Sequence, residues 1–281
     1  MAAKYTGGRV TYGGRVAFIG GGNMAQSLAG GLIAAGWPAP ALAIADPDPM
    51  QRDRLARFAP AAITADNAMA VTGAQLVVLA VKPQAAAQAL AEVAEVLRRE
   101  RPLLLSIAAG LRLAAIESAV GAELAAVRAM PNMAALVGRG ASAFFANARV
   151  DAAGRALVRE VLEAVGMTVE VDEETLLDAV TAVSGSGPAY FFLLVETLAE
   201  AGVAAGLRRE TALTLASATG AGAMALLATS GETPAALRKR VTSPGGTTAA
   251  ALGEFDRGDF AGLVQRAVLC AAQRARELGG G

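Results

Sequence analysis

At 281 residues, with 54% of them apolar and 18% charged, the chain is long enough for one large or two medium domains with sizeable buried cores. Its 25 Lys and Arg balance 25 Asp and Glu, so bulk charge draws neither nucleic acid nor an anionic membrane. There is no histidine and one cysteine, Cys270, which excludes Ser-His-Asp and Cys-His nucleophile systems, His-ligated metals and any disulfide within the chain.

The opening "MAAKYTGGRVTYGGRV" lacks the apolar core and cleavage site of a secretory signal, and residues 1–14 read as a mobile leader. "RVAFIG" (15–20) is then a short apolar run, followed by Gly20-Gly21-Gly22 and the helical pattern "NMAQSLAGGLIAAG". Strand and helix alternate from there. "ALAIAD" (41–46), "AAIT" (61–64), "LVVLAV" (76–81), "LLLSIA" (103–108) and "LAAVRAM" (124–130) read as strands with helical stretches between them. Continuous apolar strands separated by helices predict a parallel sheet covered on both faces. "ASAFFAN" (141–147), the helix "DAAGRALVREVLEAVG" and "TVEV" (168–171) add to the same sheet, which closes a domain over 15–172.

From about Glu173 the strand pattern disappears. "LLDAVTAVSGSGPAYFFLLVETLAEAGVAAGL" reads as one long helix bent at Ser184-Gly-Ser-Gly-Pro188, because a proline within a helix removes a hydrogen bond. Further helices are expected over 208–230, 233–242, after Thr247 and over 259–278. The uncharged stretch from Thr211 to Gly231 could span a bilayer by length, but its Ala, Gly, Ser and Thr content suits a buried helix packed closely on its neighbours. Cys270 lies at an apolar helical position and is expected as a buried structural thiol in a reducing, cytoplasmic setting. The fold class is therefore α/β, an N-terminal Rossmann-type parallel-sheet domain followed over 173–281 by an all-α domain suited to oligomerisation.

Gly20-x-Gly22-x-x-Ala25 follows the first strand and opens the first helix, the setting of a dinucleotide fingerprint. Gly20 permits the tight turn, Gly22 lets backbone approach a pyrophosphate, and Ala25 allows close helix packing. Asp46 ends the second strand, where an acid bonds ribose hydroxyls and opposes a 2′-phosphate; Arg52 and Arg54, one turn on, either reach for one or pair at the surface with Asp48 or Asp53. Val81-Lys82-Pro83, Ser106 to Gly110 and Met130-Pro131-Asn132 leave later strands at the same sheet edge. A nicotinamide site implies hydride transfer, and a carbonyl acceptor usually needs a strong proton donor such as His. A C=N acceptor can arrive already protonated, so the lack of histidine favours imine reduction. Late in the chain, Ser243-Pro-Gly-Gly-Thr-Thr248 offers backbone N–H groups at a helix start, which suits either an anion nest for a carboxylate or plain helix capping by Thr247 or Thr248.

"FIGGGNMAQSLAGGL", "LAVKP", "SIAAG", "RAMPN", "DAVTAVSGSGPAYFFLLVETLAEAGVAAGL" and "VTSPGGTTAAAL" occur in order, and over residues 15–275 the chain resembles the pyrroline-5-carboxylate reductases. The resemblance implies reduction of 1-pyrroline-5-carboxylate to L-proline with NADPH or NADH, by an interlocked homodimer that can assemble into a homodecamer, a pentamer of dimers. It implies cofactor contacts at Ile19, Gly20, Gly21, Gly22, Asn23, Met24, Asp46, Asn67, Val81, Lys82 and Ala108. Substrate contacts are implied at Ser243, Gly245, Gly246, Thr247 and Thr248, with Thr248 as the catalytic hydroxyl beside the ring nitrogen. A helical domain, the chain's own or a partner's, must then fold over the nicotinamide. Relatives that prefer NADPH commonly hold Ser at the Asp46 position. The chain departs from the family pattern at Met133-Ala134, where Thr-Pro is common, and at Ala216, where Gln is common. Alternatives are another imine or β-hydroxyacid reductase, for which Lys239 is the only lysine of the second domain, and a non-catalytic dinucleotide sensor.

Overall fold

The computed structural model describes residues 14–58 and 62–280, so the leader, Gly14 apart, lies outside the described residues. Strands and helices alternate as β1 (Arg15–Ile19), α1 (Asn23–Ala34), β2 (Leu42–Ala45), α2 (Pro49–Phe58), β3 (Ala62–Thr64), α3 (Asn67–Val71) and β4 (Ala74–Leu79). They continue as α4 (Pro83–Glu100), β5 (Leu103–Ser106), α5 (Leu113–Val120), β6 (Ala126–Met130), β7 (Gly140–Ala146), α6 (Ala152–Glu163) and β8 (Gly166–Glu170). The strands form one sheet in the order β3-β2-β1-β4-β5-β6-β7-β8. Pairing is parallel as far as β6, and β7 and β8 run the other way, parallel to each other.

Burial on both faces explains the unbroken apolar strands. Val16 and Phe18 of β1 join a core under α1 and α6, while Ala17 and Ile19, one residue out of phase, join a second core under α3, α4 and α5. A side chain as fully enclosed as Phe18 contributes ~1.5–3 kcal/mol. Capping fixes the helix starts locally: the Asp151 carboxylate accepts the Gly154 N–H at 2.7 Å, and Pro83 starts α4, where its missing N–H costs no helical bond.

The chain divides into two compact units, and the boundary differs from the loss of strands at 172/173. The sheet unit runs on to Gly185 and takes in the chain from Ala272, leaving Ser186–Ala271 as the helical unit. Two half-buried ion pairs explain the extension. Arg128 of β6 holds Glu174 at 2.6 Å, and Arg112 holds Asp178 of α7 (Leu176–Val180) at 2.9 Å. The chain end also lies on this unit, where a Cβ on Gly110 would meet the Leu278 carbonyl at 3.2 Å. The long helix breaks where its proline predicts: α7 passes into a π-helical turn, Thr181–Gly185, before α8 (Gly187–Ala204) begins.

In the helical unit α8 pairs with α9 (Arg209–Ser230), and α10 (Pro234–Arg240), α11 (Thr247–Arg257) and α12 (Phe260–Leu278), the last as far as Ala271, follow. The α8–α9 contact is made by Ala199, Ala212 and Ala216, with Val195 and Val203 beside them. Ala216 is thus a small core residue here, at a place where a Gln amide would have to be buried. The expectation that 211–231 is buried is corrected: on α9 only Ala212 and Ala216 are, while Leu213, Leu215, Met224 and Leu226 are exposed. Cys270 is likewise exposed, on a helix that also exposes Leu263, Val264 and Leu269. The reason is common to both: within one chain these helices are covered along a single narrow stripe.

Candidate active site

The site begins at the carboxyl edge of the sheet, between β1 and β4, where the strand order reverses direction. Gly20 has φ +93°, and a Cβ there would lie 2.9 Å from the Ala80 carbonyl and 3.0 Å from Val81 Cγ1. Only glycine fits both the backbone and the space. A Cβ on Gly21 would collide with Leu55 Cδ1, whereas one on Gly22 would meet nothing within 4 Å. Gly22 is the N-cap of α1, with no side chain bonded to its first turn, so the N–H groups of Asn23, Met24 and Ala25 point out of an open cradle. Ile19 and Ala25 are buried behind it. An anionic group fits this arrangement, because free N–H groups and the positive end of the helix dipole converge there.

Asp46 is engaged with the same turn. Its Oδ2 accepts the Gly21 N–H at 2.8 Å and its Oδ1 accepts the Asp48 N–H at 2.9 Å. Arg52 pairs with no carboxylate among the described residues and donates instead to the Asp46 and Pro47 carbonyls at 2.9 and 2.8 Å, and Arg54 is exposed. The Asp46 N–H donates to the Thr64 carbonyl at 3.1 Å, which brings the end of β3 alongside. There Thr64, Ala65, Asp66, Asn67, Ala68 and Glu92 line an open depression. Asn67 Nδ2 donates to Glu92 Oε2 at 2.6 Å.

Val81 abuts Gly20, and Lys82, exposed, is the N-cap of α4. Ala108 is buried after β5, whose end is tied to β4 by the Ile107 N–H donating to the Leu79 carbonyl at 3.1 Å. The structure therefore gathers Ile19 to Met24, Asp46, Asn67, Val81, Lys82 and Ala108 along the carboxyl edge of one sheet.

The late loop belongs to the helical unit. Gly245 has φ +71°, a left-handed conformation that favours glycine, and the Gly246 N–H closes a turn on the Ser243 carbonyl at 3.1 Å. Gly246 is the N-cap of α11, so Thr247 and Thr248 occupy its first turn rather than capping it. Capping therefore does not account for either hydroxyl. The first-turn N–H groups have no side-chain partner, as an anion nest requires.

Comparison with known proteins follows this division. Residues 174–278 match the family model for pyrroline-5-carboxylate reductase dimerisation, and residues 15–110 match that for NADP oxidoreductase, coenzyme F420-dependent. The pyrroline-5-carboxylate reductase of Pseudomonas aeruginosa is 48% identical over 94% of this chain and 96% of its own. The chain belongs to the pyrroline-5-carboxylate reductase family. Among solved structures, that of the Coxiella burnetii pyrroline-5-carboxylate reductase has a TM-score of 0.91 at 36% identity, covering 94% of this chain and 98% of that one. The Plasmodium falciparum pyrroline carboxylate reductase, solved with NADP bound, has a TM-score of 0.83 at 29% identity, covering 96% and 100%.

Members of this reductase family are oxidoreductases, and the matched dimerisation domain marks the helical half as one that assembles homo-oligomers. Two clamps on the Gly21 peptide escaped the sequence reading: Gln26 Nε2 donates to the Gly21 carbonyl at 2.9 Å, and Gln51 Nε2 donates to it as well. Nothing in the glycine pattern calls for them, since their contact depends on how α1 and α2 start. Arg128 did carry a signal. A charged residue inside the apolar strand "AVRAM" needs an acidic partner, which Glu174 supplies.

Proposed function

We propose that this chain reduces 1-pyrroline-5-carboxylate to L-proline with NADPH or NADH, the last step of proline biosynthesis. The observation that carries the reading is 48% identity to a pyrroline-5-carboxylate reductase along nearly the whole chain, joined to an open Gly22 cradle of the kind a dinucleotide needs. When bound, the reduced nicotinamide supplies a hydride to the carbon of the C=N bond. The N–H groups at the start of α1 hold the pyrophosphate, and Asp46 and Asn67 take the adenosine side. Ala108, Val81 and Lys82 lie along the path toward the nicotinamide. Gly245, Gly246 and the first-turn N–H groups of Thr247 and Thr248, with the Ser243 hydroxyl, bind the substrate carboxylate. The Thr248 hydroxyl hydrogen-bonds the ring nitrogen, whose proton stays as the amine forms.

The reaction needs this loop and the nicotinamide together, so we assign the assembled form as a soluble, cytoplasmic homodimer, able to associate further as a pentamer of dimers. The exposed apolar side chains of α8 and α9, Phe191, Phe192, Leu213 and Leu215 among them, support burial by another copy. The test is oxidation of NADPH or NADH on addition of pyrroline-5-carboxylate to the purified protein. Turnover is expected with at least one cofactor. Binding of a cofactor without turnover of either would defeat the reading in favour of a dinucleotide sensor.

A further inference from the structure

Two stretches that the sequence marks, Met130-Pro131-Asn132 and Ser184-Gly-Ser-Gly-Pro188, have no part in the reaction as set out above, and the structure joins them. Asn132 is buried, and both ends of its amide are used. Its Oδ1 accepts the Ala141 N–H at 3.1 Å, and its Nδ2 donates to the Ser184 carbonyl at 3.0 Å. Asn132 precedes the short 3-10 helix Met133–Val137 without bonding to it through its side chain, so capping does not explain the residue. Its far partner, Ser184, sits in the π-helical turn Thr181–Gly185, a geometry concentrated at functional sites.

The turn leans on the same strand end from a second direction. A Cβ on Gly185 would meet Cε of Met130, the last residue of β6, at 2.6 Å. Upstream, the Arg112–Asp178 and Arg128–Glu174 pairs hold the approach to the turn against β6 and the segment after β5. The π turn is therefore fixed beside the carboxyl end of β6. With adenosine on the β2 side and pyrophosphate at Gly20 to Gly22, a bound dinucleotide extends the other way, across the ends of β4, β5 and β6.

We propose that Asn132 is a positioning residue: through the Ser184 carbonyl it holds the π turn as the wall beside which the nicotinamide ring is aligned for hydride transfer. The proposal rests on the reductase reading. Alignment to a fraction of an ångström governs hydride transfer far more than it governs cofactor affinity, most of which comes from the phosphates and adenosine.

Two variants separate positioning from general support. Asn132→Asp keeps an acceptor for the Ala141 N–H and removes the donor to Ser184. Gly185→Ala leaves both Asn132 bonds in place and crowds only the terminal methyl of Met130, which can swing aside, so it serves as the control that alters the turn without cutting its tie to Asn132. For Asn132→Asp, kcat is expected to fall about 10- to 100-fold while cofactor Kd stays within about threefold, and the isotope effect with 4-deuterated cofactor should rise. For Gly185→Ala, kcat should stay within about twofold of wild type with Tm unchanged or raised, since the tie to Asn132 is kept and Gly to Ala in a helical turn otherwise stabilises.

A kcat within about twofold of wild type for Asn132→Asp, a loss matched by equally weakened cofactor binding, or an equal loss in Gly185→Ala overturns the proposal. Should Asn132→Asp not fold, Asn132→Ser, whose shorter side chain cannot reach the Ser184 carbonyl, decides on the same criteria. Wild-type turnover in the same series distinguishes the failures. Its absence overturns the reductase reading and this proposal together, whereas normal wild-type turnover with unaffected variants overturns only this one.

Discussion

Asp46 shows how one side chain can serve two purposes. Its carboxylate accepts N–H groups from Gly21 and Asp48, which shapes the fingerprint turn, and it presents an acid where an adenosine ribose would lie. Replacing it with Ser keeps a shorter acceptor and removes the charge that opposes a 2′-phosphate. The ratio of kcat/KM with NADPH to that with NADH should then rise about tenfold, equivalent to ~1.4 kcal/mol. Side-by-side kinetics with both cofactors measure it, and an unmoved ratio would mean that Asp46 serves the turn alone. Thr248 poses a simpler question, since its hydroxyl is not used to cap α11. Thr248→Ala should lower kcat about 10- to 1000-fold with cofactor Kd unchanged. An unaltered kcat would remove the hydroxyl from the mechanism.

Among the elements, β7 and β8 are additions beyond the six strands that build the dinucleotide crevice, and they carry a local defect. Ser142 and Thr168 face each other in the parallel register, both buried, and neither hydroxyl has a hydrogen-bond partner among the described residues. A buried hydroxyl without a partner costs more than a methyl group of the same shape. Thr168→Val should therefore stabilise the fold by ~1 kcal/mol, about 2–4 °C in Tm. Thermal unfolding followed by circular dichroism reads this out, and a lowered Tm would mean that the Thr168 hydroxyl is satisfied in solution. The helices were legible for a different reason. The residues α4 buries, such as Ala86, Leu90, Val93 and Leu97, recur at helical spacing, and Pro83 marks its start. The π turn was legible only as a break: the sequence shows that Pro188 interrupts a helix, but not that Asn132 is bonded to the turn before it.

For the whole molecule, the contrast between the two units is decisive. The sheet unit encloses two continuous cores, whereas the helical unit has one small cluster centred on Ala199, Ala212 and Ala216. A single chain leaves Phe191, Phe192, Leu193 and Leu215 exposed, more apolar surface than a lone soluble domain tolerates. Light scattering at micromolar protein should give at least twice the chain mass of 28.2 kDa. A stable particle of one chain mass would contradict assembly through these faces.

What the sequence determined by itself was the order of elements and the chemistry of their ends. Strand and helix periodicities are local, and the glycines at 20 and 245 are demanded by backbone conformations that other residues rarely adopt. The family resemblance was legible in the same stretches, because those loops have few acceptable sequences. What only the tertiary structure decided was which distant residues meet. The bonds of Asn132 to Ser184, Arg128 to Glu174 and Gln51 to Gly21 join positions far apart in the chain. The outward lie of Cys270 and of most of α9 was decided there too. Periodicity identifies an apolar face, but only packing shows whether the same chain covers it.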